Sequence, residues 1–206
     1  MKKKSSKKGW LNYLIYLIWA LLLFAGIYDL FHIPGRAIFW FGELIIAMFI
    51  YYKLKVPVGI YFGILILFLI NLFGELFIGL FYIIPQFDKI IHILSPLIGC
   101  TLFYFLFEKK IKNKKMLILF SVILLISWGA LWEIVEYFSD KYFHTLLVGV
   151  HLAGIENFKP IQIMEPLEDT IYDMFYSLIG TVVWAIIALF VTKNKNKHSR
   201  VKTKKH

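Results

Sequence analysis

The sequence predicts an all-α membrane protein, a bundle of six transmembrane helices with both termini in the cytoplasm. The chain is 60% hydrophobic and its mean hydropathy is +0.72, whereas soluble domains are nearer half apolar. Six apolar stretches approach the ~20 residues that a helix needs to cross the hydrocarbon core of a bilayer. Lysine-rich and lysine-poor links alternate between these stretches, which is typical of a protein with six spans.

The chain divides into a basic cytoplasmic tail (1–9), a single transmembrane domain (10–192) and a second basic tail (193–206), which we expect to be disordered. The first apolar stretch follows lysines as in a signal peptide. It is too long for one and no small-residue cleavage site follows, so we interpret it as a span. The six predicted spans are 10–30, 37–52, 58–80, 88–107, 116–138 and 170–192.

The orientation follows from the links. Lysines concentrate at 2–8, 53–55, 109–115 and 193–205, whereas the three other links are neutral or acidic. Since positive links stay inside, we expect both termini in the cytoplasm and the lysine-poor links outside.

The fifth link, 139–169, is predicted to be an outer loop. It is far longer than most connections, so we expect a functional loop or a partly folded cap. Its apolar run at 146–148 is too short to span the bilayer, which favours a re-entrant or interfacial helix.

Composition also excludes some classes of function. The net charge of +10 lies in tails and short links, so it favours orientation in the lipid bilayer and not nucleic-acid binding. Cys100 is the single cysteine, so an intrachain disulfide and a cysteine-ligated zinc site are both excluded. Because Cys100 lies in an apolar run, we expect a buried, inert thiol. The oligomeric state cannot be predicted.

Ionisable residues collect at the outer ends of the last three spans, as pairs three or four residues apart that share a helix face. The pairs are Asp88 and His92, Glu133 and Glu136, and Asp169 and Asp173. The glutamate pair lies at the negative end of its helix dipole, so the helix itself gives no reason for it. Glu75 and Glu43 are secondary candidates for the same pocket, and Gly180 predicts close approach of a neighbouring helix.

Buried charges in spans are costly and usually face a partner or a watery cavity. Clustered carboxylates need shared protons or a bound cation, and carboxylate with imidazole suits a divalent metal ion. Such a pocket favours one of two functions. The first is an enzyme with metal-activated water and Glu133 or Glu136 as base. The second is an ion- or proton-coupled transporter or a small-ligand binding protein. A structural salt-bridge cluster is the third alternative, with Arg36 and Lys89 as counter-ions and Asp88 and Asp169 as helix caps.

Three segments carry a family resemblance: Phe87-Asp88-Lys89-Ile90-Ile91-His92, then Gly129-Ala130-Leu131-Trp132-Glu133-Ile134-Val135-Glu136-Tyr137, then Glu168-Asp169-Thr170-Ile171-Tyr172-Asp173-Met174 with Gly180-Thr181. In order and spacing they resemble the YjdF type of predicted bacterial membrane proteins, which is similar to the VanZ-like proteins. The resemblance covers Pro85 to Gly180 and implies six spans in a bacterial cytoplasmic membrane and an uncharacterised function. VanZ-like proteins are associated with glycopeptide resistance, but Glu136 stands here where their Glu-x-x-Gln motif has glutamine.

Overall fold

The computed structural model describes residues 9–145, 147–153 and 160–203, and these are mainly helical. Six helices are long and apolar enough to cross a membrane, as the sequence predicts. The helices are α1 (Gly9–His32), α2 (Pro34–Phe49), α3 (Val58–Leu72), α4 (Leu80–Ile83), α5 (Phe87–Phe107), α6 (Lys114–Phe143) and α7 (Pro166–Thr203), and the strands are β1 (Val150–Ala153) and β2 (Pro160–Met164). The π-helical segments Ile50–Leu54 and Phe73–Phe77 extend α2 and α3.

The bounds of two spans differ from prediction. Helix α6 continues to Phe143 and α7 begins at Pro166, so the connection between them is 144–165 and not 139–169. The predicted disorder of the second tail is wrong for its described part, since α7 continues to Thr203. Lysine is a good helix former, and extending a helix needs no new nucleus. Residues 1–8 and 204–206 of the predicted tails lie outside the described residues.

A β-hairpin stands where the sequence favoured an interfacial helix. That prediction is wrong for the described residues; Leu146 and 154–159 lie outside them. The side chain of Asp140 explains the change of direction. Its carboxylate accepts N–H bonds from Leu147 and Val148, each 2.7 Å long, so it draws the chain back over the end of α6. Strands β1 and β2 then pair antiparallel, which departs from a purely all-α class.

Two hydrophobic cores hold the bundle. The first joins α1, α2 and α3 around fully buried side chains such as Leu22 and Leu65. The second joins α5, α6 and α7 around Cys100 and Trp184, and the thiol is buried as predicted. Gly180 confirms the predicted close approach, because a Cβ at this position would clash with the backbone carbonyl of Ile93 on α5.

The six spans run alternately up and down, so the connections divide between two ends. The turn at Ile33, the segment 78–86 and the hairpin share one end, which we call the polar end. The connections 55–57 and 108–113 lie at the opposite end. Two clusters of ionisable side chains lie at the polar end among the described residues.

Candidate functional site

The main site at the polar end is a cluster of three carboxylates, one lysine and one histidine from α5 and α7. We call it the lysine cluster; its members are Asp88, Lys89, His92, Asp169 and Asp173. On α5, Asp88 and His92 lie one turn apart, and on α7 Asp169 and Asp173 do the same. The close approach of these two helices brings the pairs together.

Lys89 is the centre of the cluster, although only 6% of its surface is exposed. Its Nζ donates to Asp173 Oδ1 at 2.6 Å and to Asp88 Oδ2 at 3.3 Å, and it also donates to Asp169 Oδ1. The carboxylates of Asp169 and Asp173 are almost fully buried, whereas Asp88 is partly open to its surroundings. The ammonium therefore joins α5 to α7 through buried ion pairs.

His92 lies on the other side of the same carboxylates. Its Nε2 is 3.5 Å from Asp88 Oδ1 and 3.8 Å from Asp173 Oδ1, and its Nδ1 is 3.0 Å from the hydroxyl of Ser177. One ligand atom from each of Asp88, His92 and Asp173 lies within 4.8 Å of the other two. Two carboxylate oxygens and one imidazole nitrogen at this spacing are able to hold a metal ion.

Asp169 stands outside that group of three ligands. Its Oδ2 accepts the backbone N–H of Gly149 at 2.7 Å, while its Oδ1 accepts from Lys89. The structure thus gives Asp169 two partners and connects the hairpin to the cluster. Helix α5 begins with Gln86 as its N-cap residue and without a side-chain cap, so capping does not explain Asp88.

Glu133 and Glu136 lie on α6 beside the cluster and outside the three-ligand group. Glu133 is 6% exposed, and Glu136 Oε1 accepts the indole N–H of Trp132 at 2.6 Å. Both glutamates lie close enough to Asp88 for their negative charges to repel one another. Together with the three aspartates they make five carboxylates against the single ammonium of Lys89, so full ionisation leaves four excess negative charges.

A second group at the polar end, which we call the arginine network, comprises Asp29, Arg36, Trp40, Glu75 and Tyr82. Arg36 forms a bidentate pair with fully buried Asp29, with N–O distances of 2.5 and 2.8 Å, and its Nη1 donates to Glu75 Oε1 at 2.7 Å. Trp40 donates to Asp29 Oδ2 at 2.7 Å. Such a satisfied network is structural in character.

Tyr82 completes this network from the short helix α4. Its hydroxyl donates to Glu75 Oε1 at 2.5 Å. Burial and the neighbouring charge of Glu75 raise the pKa of Tyr82 above its ordinary value. Glu75, a secondary candidate from the sequence, therefore belongs to the arginine network. Among the described residues it forms no hydrogen bond or ion pair with the lysine cluster.

Glu43, the other secondary candidate, lies near the middle of α2. Its Oε1 accepts an N–H bond from Asn71 at 3.1 Å. Its Oε2 is buried and has no hydrogen-bond partner among the residues that the structure describes. Glu43 therefore joins neither of the two groups at the polar end.

Sequence reasoning missed the central place of Lys89 and the contact of Ser177 with His92. A signal for both exists in the sequence. Lys89 is the only lysine or arginine in the apolar stretch 87–107, and Ser177 continues the four-residue spacing of Asp169 and Asp173 along one face. Trp40 and Tyr82 carry no comparable signal, because aromatic residues are common throughout this chain.

A family described as Predicted membrane protein (DUF2238) matches residues 10–194 of the chain. The chain belongs to this family. DUF2238 is the YjdF-type family that the three polar segments resemble, and the match extends beyond them to all six spans. No curated protein and no solved structure matches the chain significantly. The similarity to VanZ-like proteins stays a prediction.

Proposed function

We propose that the lysine cluster is a divalent-cation site through which this membrane protein acts on a lipid or envelope substrate. The carrying observation is that Asp88, His92 and Asp173 each offer one ligand atom within 4.8 Å of the others. Three protein ligands are the usual number at a catalytic metal ion, since the remaining position is left for water or substrate. The lysine-poor links at this end support its placement outside the cell.

Lys89 and the cation compete for the same oxygens. Asp173 Oδ1 accepts from Lys89 at 2.6 Å and is also the oxygen that lies 3.8 Å from His92 Nε2. In the absence of a cation the ammonium keeps the carboxylates together, and a bound cation displaces it. Full ionisation of the five carboxylates would leave four excess negative charges, and a bound cation would offset part of this charge.

The chemistry expected of this site is hydrolysis or group transfer. A divalent cation lowers the pKa of a bound water and polarises the group under attack. Glu133 is the residue best placed to act as general base, since it is buried beside the aspartates, and Glu136 is held by Trp132. A substrate at this depth is the head group of a lipid or of an envelope precursor.

Metal analysis of the purified protein tests the proposal. We expect a stoichiometric divalent metal in the wild type after exposure to Mn²⁺ or Zn²⁺, and its loss in Asp173→Asn. Glu168→Gln is the matched control, because it removes an exposed acid from the same helix, five residues before Asp173. Retention of the metal by Asp173→Asn would refute the assignment of ligands.

An ion- or proton-coupled transporter is the second candidate. It is favoured by the bridge that Lys89 makes between α5 and α7, since an ammonium that changes partners would alter the contact between two spans. The same preparations distinguish the candidates. Absence of metal together with protein-dependent proton flux in liposomes supports transport. Absence of both metal and flux supports the third alternative, a structural salt-bridge cluster.

A further inference from the structure

A groove between α2 and α6 lies outside the lysine cluster and the arginine network. It has a volume of about 390 Å³ and almost entirely apolar walls, which include Phe39 and Ile46 on α2 and Val135 and Phe138 on α6. This volume falls within the range of ~300–1,000 Å³ that is usual for small-molecule sites. The groove is open along one side, so a molecule in the membrane is able to enter it laterally.

Glu43 gives this groove a specific chemistry. It lines the groove, is 9% exposed, and keeps Oε2 buried without a hydrogen-bond partner among the described residues. Glu43 lies nine residues after Pro34, or roughly 13 Å along α2, which is near the middle of a ~30 Å hydrocarbon core. An unpaired polar atom at that depth is costly, because neither water nor lipid chains supply a partner.

We propose that the groove binds a lipid that carries a free hydroxyl on an otherwise apolar body, with the hydroxyl bonded to Glu43. A hydroxyl both donates and accepts, so it complements a carboxyl group in either protonation state. Ser139, on the facing wall, offers this hydroxyl a second polar neighbour. The groove is distinct from the proposed cation site, because its walls include none of Asp88, His92 and Asp173; Trp132 on its wall donates to Glu136 beside that site.

Glu43 favours a chain-like lipid over a helix of a second copy as the occupant. All backbone polar groups of a helix are bonded within the helix, so its backbone would leave Oε2 of Glu43 without a partner. One extended hydrocarbon chain that ends in a hydroxyl supplies both the apolar contact and this hydrogen bond. Its apolar body would contact the aromatic and aliphatic walls while its hydroxyl reaches Glu43.

Photolabelling in nanodiscs tests the proposal directly. A long-chain alcohol with a diazirine in its chain should label the wild-type protein in peptides that contain residues 38–46 and 132–143. Oleyl alcohol should then compete at about 2- to 13-fold lower concentration than 9-octadecene, which has the same chain without a hydrogen-bonding group; this is the factor for one net hydrogen bond of ~0.5–1.5 kcal/mol. Equal competition by the hydrocarbon, or labelling confined to other peptides, overturns the proposal.

Two variants separate the contributions of space and hydrogen bonding. Gly42→Leu should fill the groove and abolish competable labelling, since a Cβ at Gly42 meets no atom within 4 Å. Gly59→Leu, at an equally open position on α3, is the control and should label normally. The double variant Glu43→Leu/Asn71→Leu removes both hydrogen-bond partners together, so it avoids an orphaned amide. It should bind the alcohol and 9-octadecene equally; retained preference for the alcohol contradicts the role of Glu43.

Discussion

Replacement of Lys89 by methionine tests the arrangement of the lysine cluster most directly. The variant keeps an apolar side chain of similar length but removes the positive charge that three carboxylates share. Removing one partner from a buried ion pair costs about 3–5 kcal/mol, because the opposite charge is left uncompensated. Asp169 and Asp173 are the groups that make this cost large, since their side chains are 4% and 2% exposed.

The contribution of Asp88 is much smaller. Its side chain is 28% exposed and its oxygen is 3.3 Å from Lys89, so its pair with Lys89 is partly screened. We therefore expect Lys89→Met to lower the free energy of unfolding by about 3–5 kcal/mol in EDTA. If the variant binds a cation at the proposed site, Mn²⁺ should restore part of this loss. The gain is about 2.7 kcal/mol when the Mn²⁺ concentration is a hundred times the dissociation constant.

Thermal unfolding of the detergent-purified protein, with and without Mn²⁺, measures both effects. The control is the double variant Lys89→Met/Asp169→Asn, which removes one charge of each sign and should be less destabilised than the single variant. A loss below about 1 kcal/mol in the single variant would refute the buried ion pairs. A loss of about 3–5 kcal/mol that Mn²⁺ does not reduce would support the buried ion pairs but refute cation binding.

Two further predictions concern the packing of α5 on α7 and the arginine network. Gly180→Ala should destabilise the bundle by about 1–3 kcal/mol, because its Cβ would clash with the carbonyl of Ile93. Gly129→Ala is the control and should be neutral in the same unfolding assay, because a Cβ at Gly129 meets open space. Tyr82→Phe should cost about 1.5–3 kcal/mol through loss of a hydrogen bond to a carboxylate. Because folding raises the pKa of Tyr82, its contribution to the free energy of unfolding is complete below about pH 10 and is lost as the pH rises through the folded pKa. The free energy of unfolding should therefore depend less on pH above about pH 10 in Tyr82→Phe than in the wild type. An equal pH dependence in the two proteins would contradict this assignment.

The sequence predicts the spans well because each is a long apolar stretch between polar links, and a hydrocarbon solvent leaves few alternatives to a helix. The sequence-based prediction of secondary structure fails between Phe143 and Pro166, where contacts of single side chains determine the direction of the backbone. Asp140 accepts from the backbone N–H groups seven and eight positions beyond it, a contact that no hydropathy pattern records. Alternation of apolar residues in so short a segment does not separate a strand from an interfacial helix.

The site was predicted in outline by the depth of its residues. Alternating spans place Asp88, His92, Asp169 and Asp173 at one end, and the structure brings these four together. The sequence offers Arg36 and Lys89 as counter-ions, but the choice between them depends on the direction of each side chain, which a sequence does not give. The depth of a residue along its span also does not separate Glu75 from this cluster. Glu75 lies at the same end of the bundle, but its side chain pairs with Arg36.

Asp169 has a consequence that reaches beyond charge balance. One of its oxygens accepts from the ammonium of Lys89, and the other accepts from the amide of Gly149 at the base of the hairpin. Any proton or cation that changes the electron density on this carboxylate changes both bonds at once. The rate of hydrogen exchange at the Gly149 amide should therefore report any change in the charge state of Asp169.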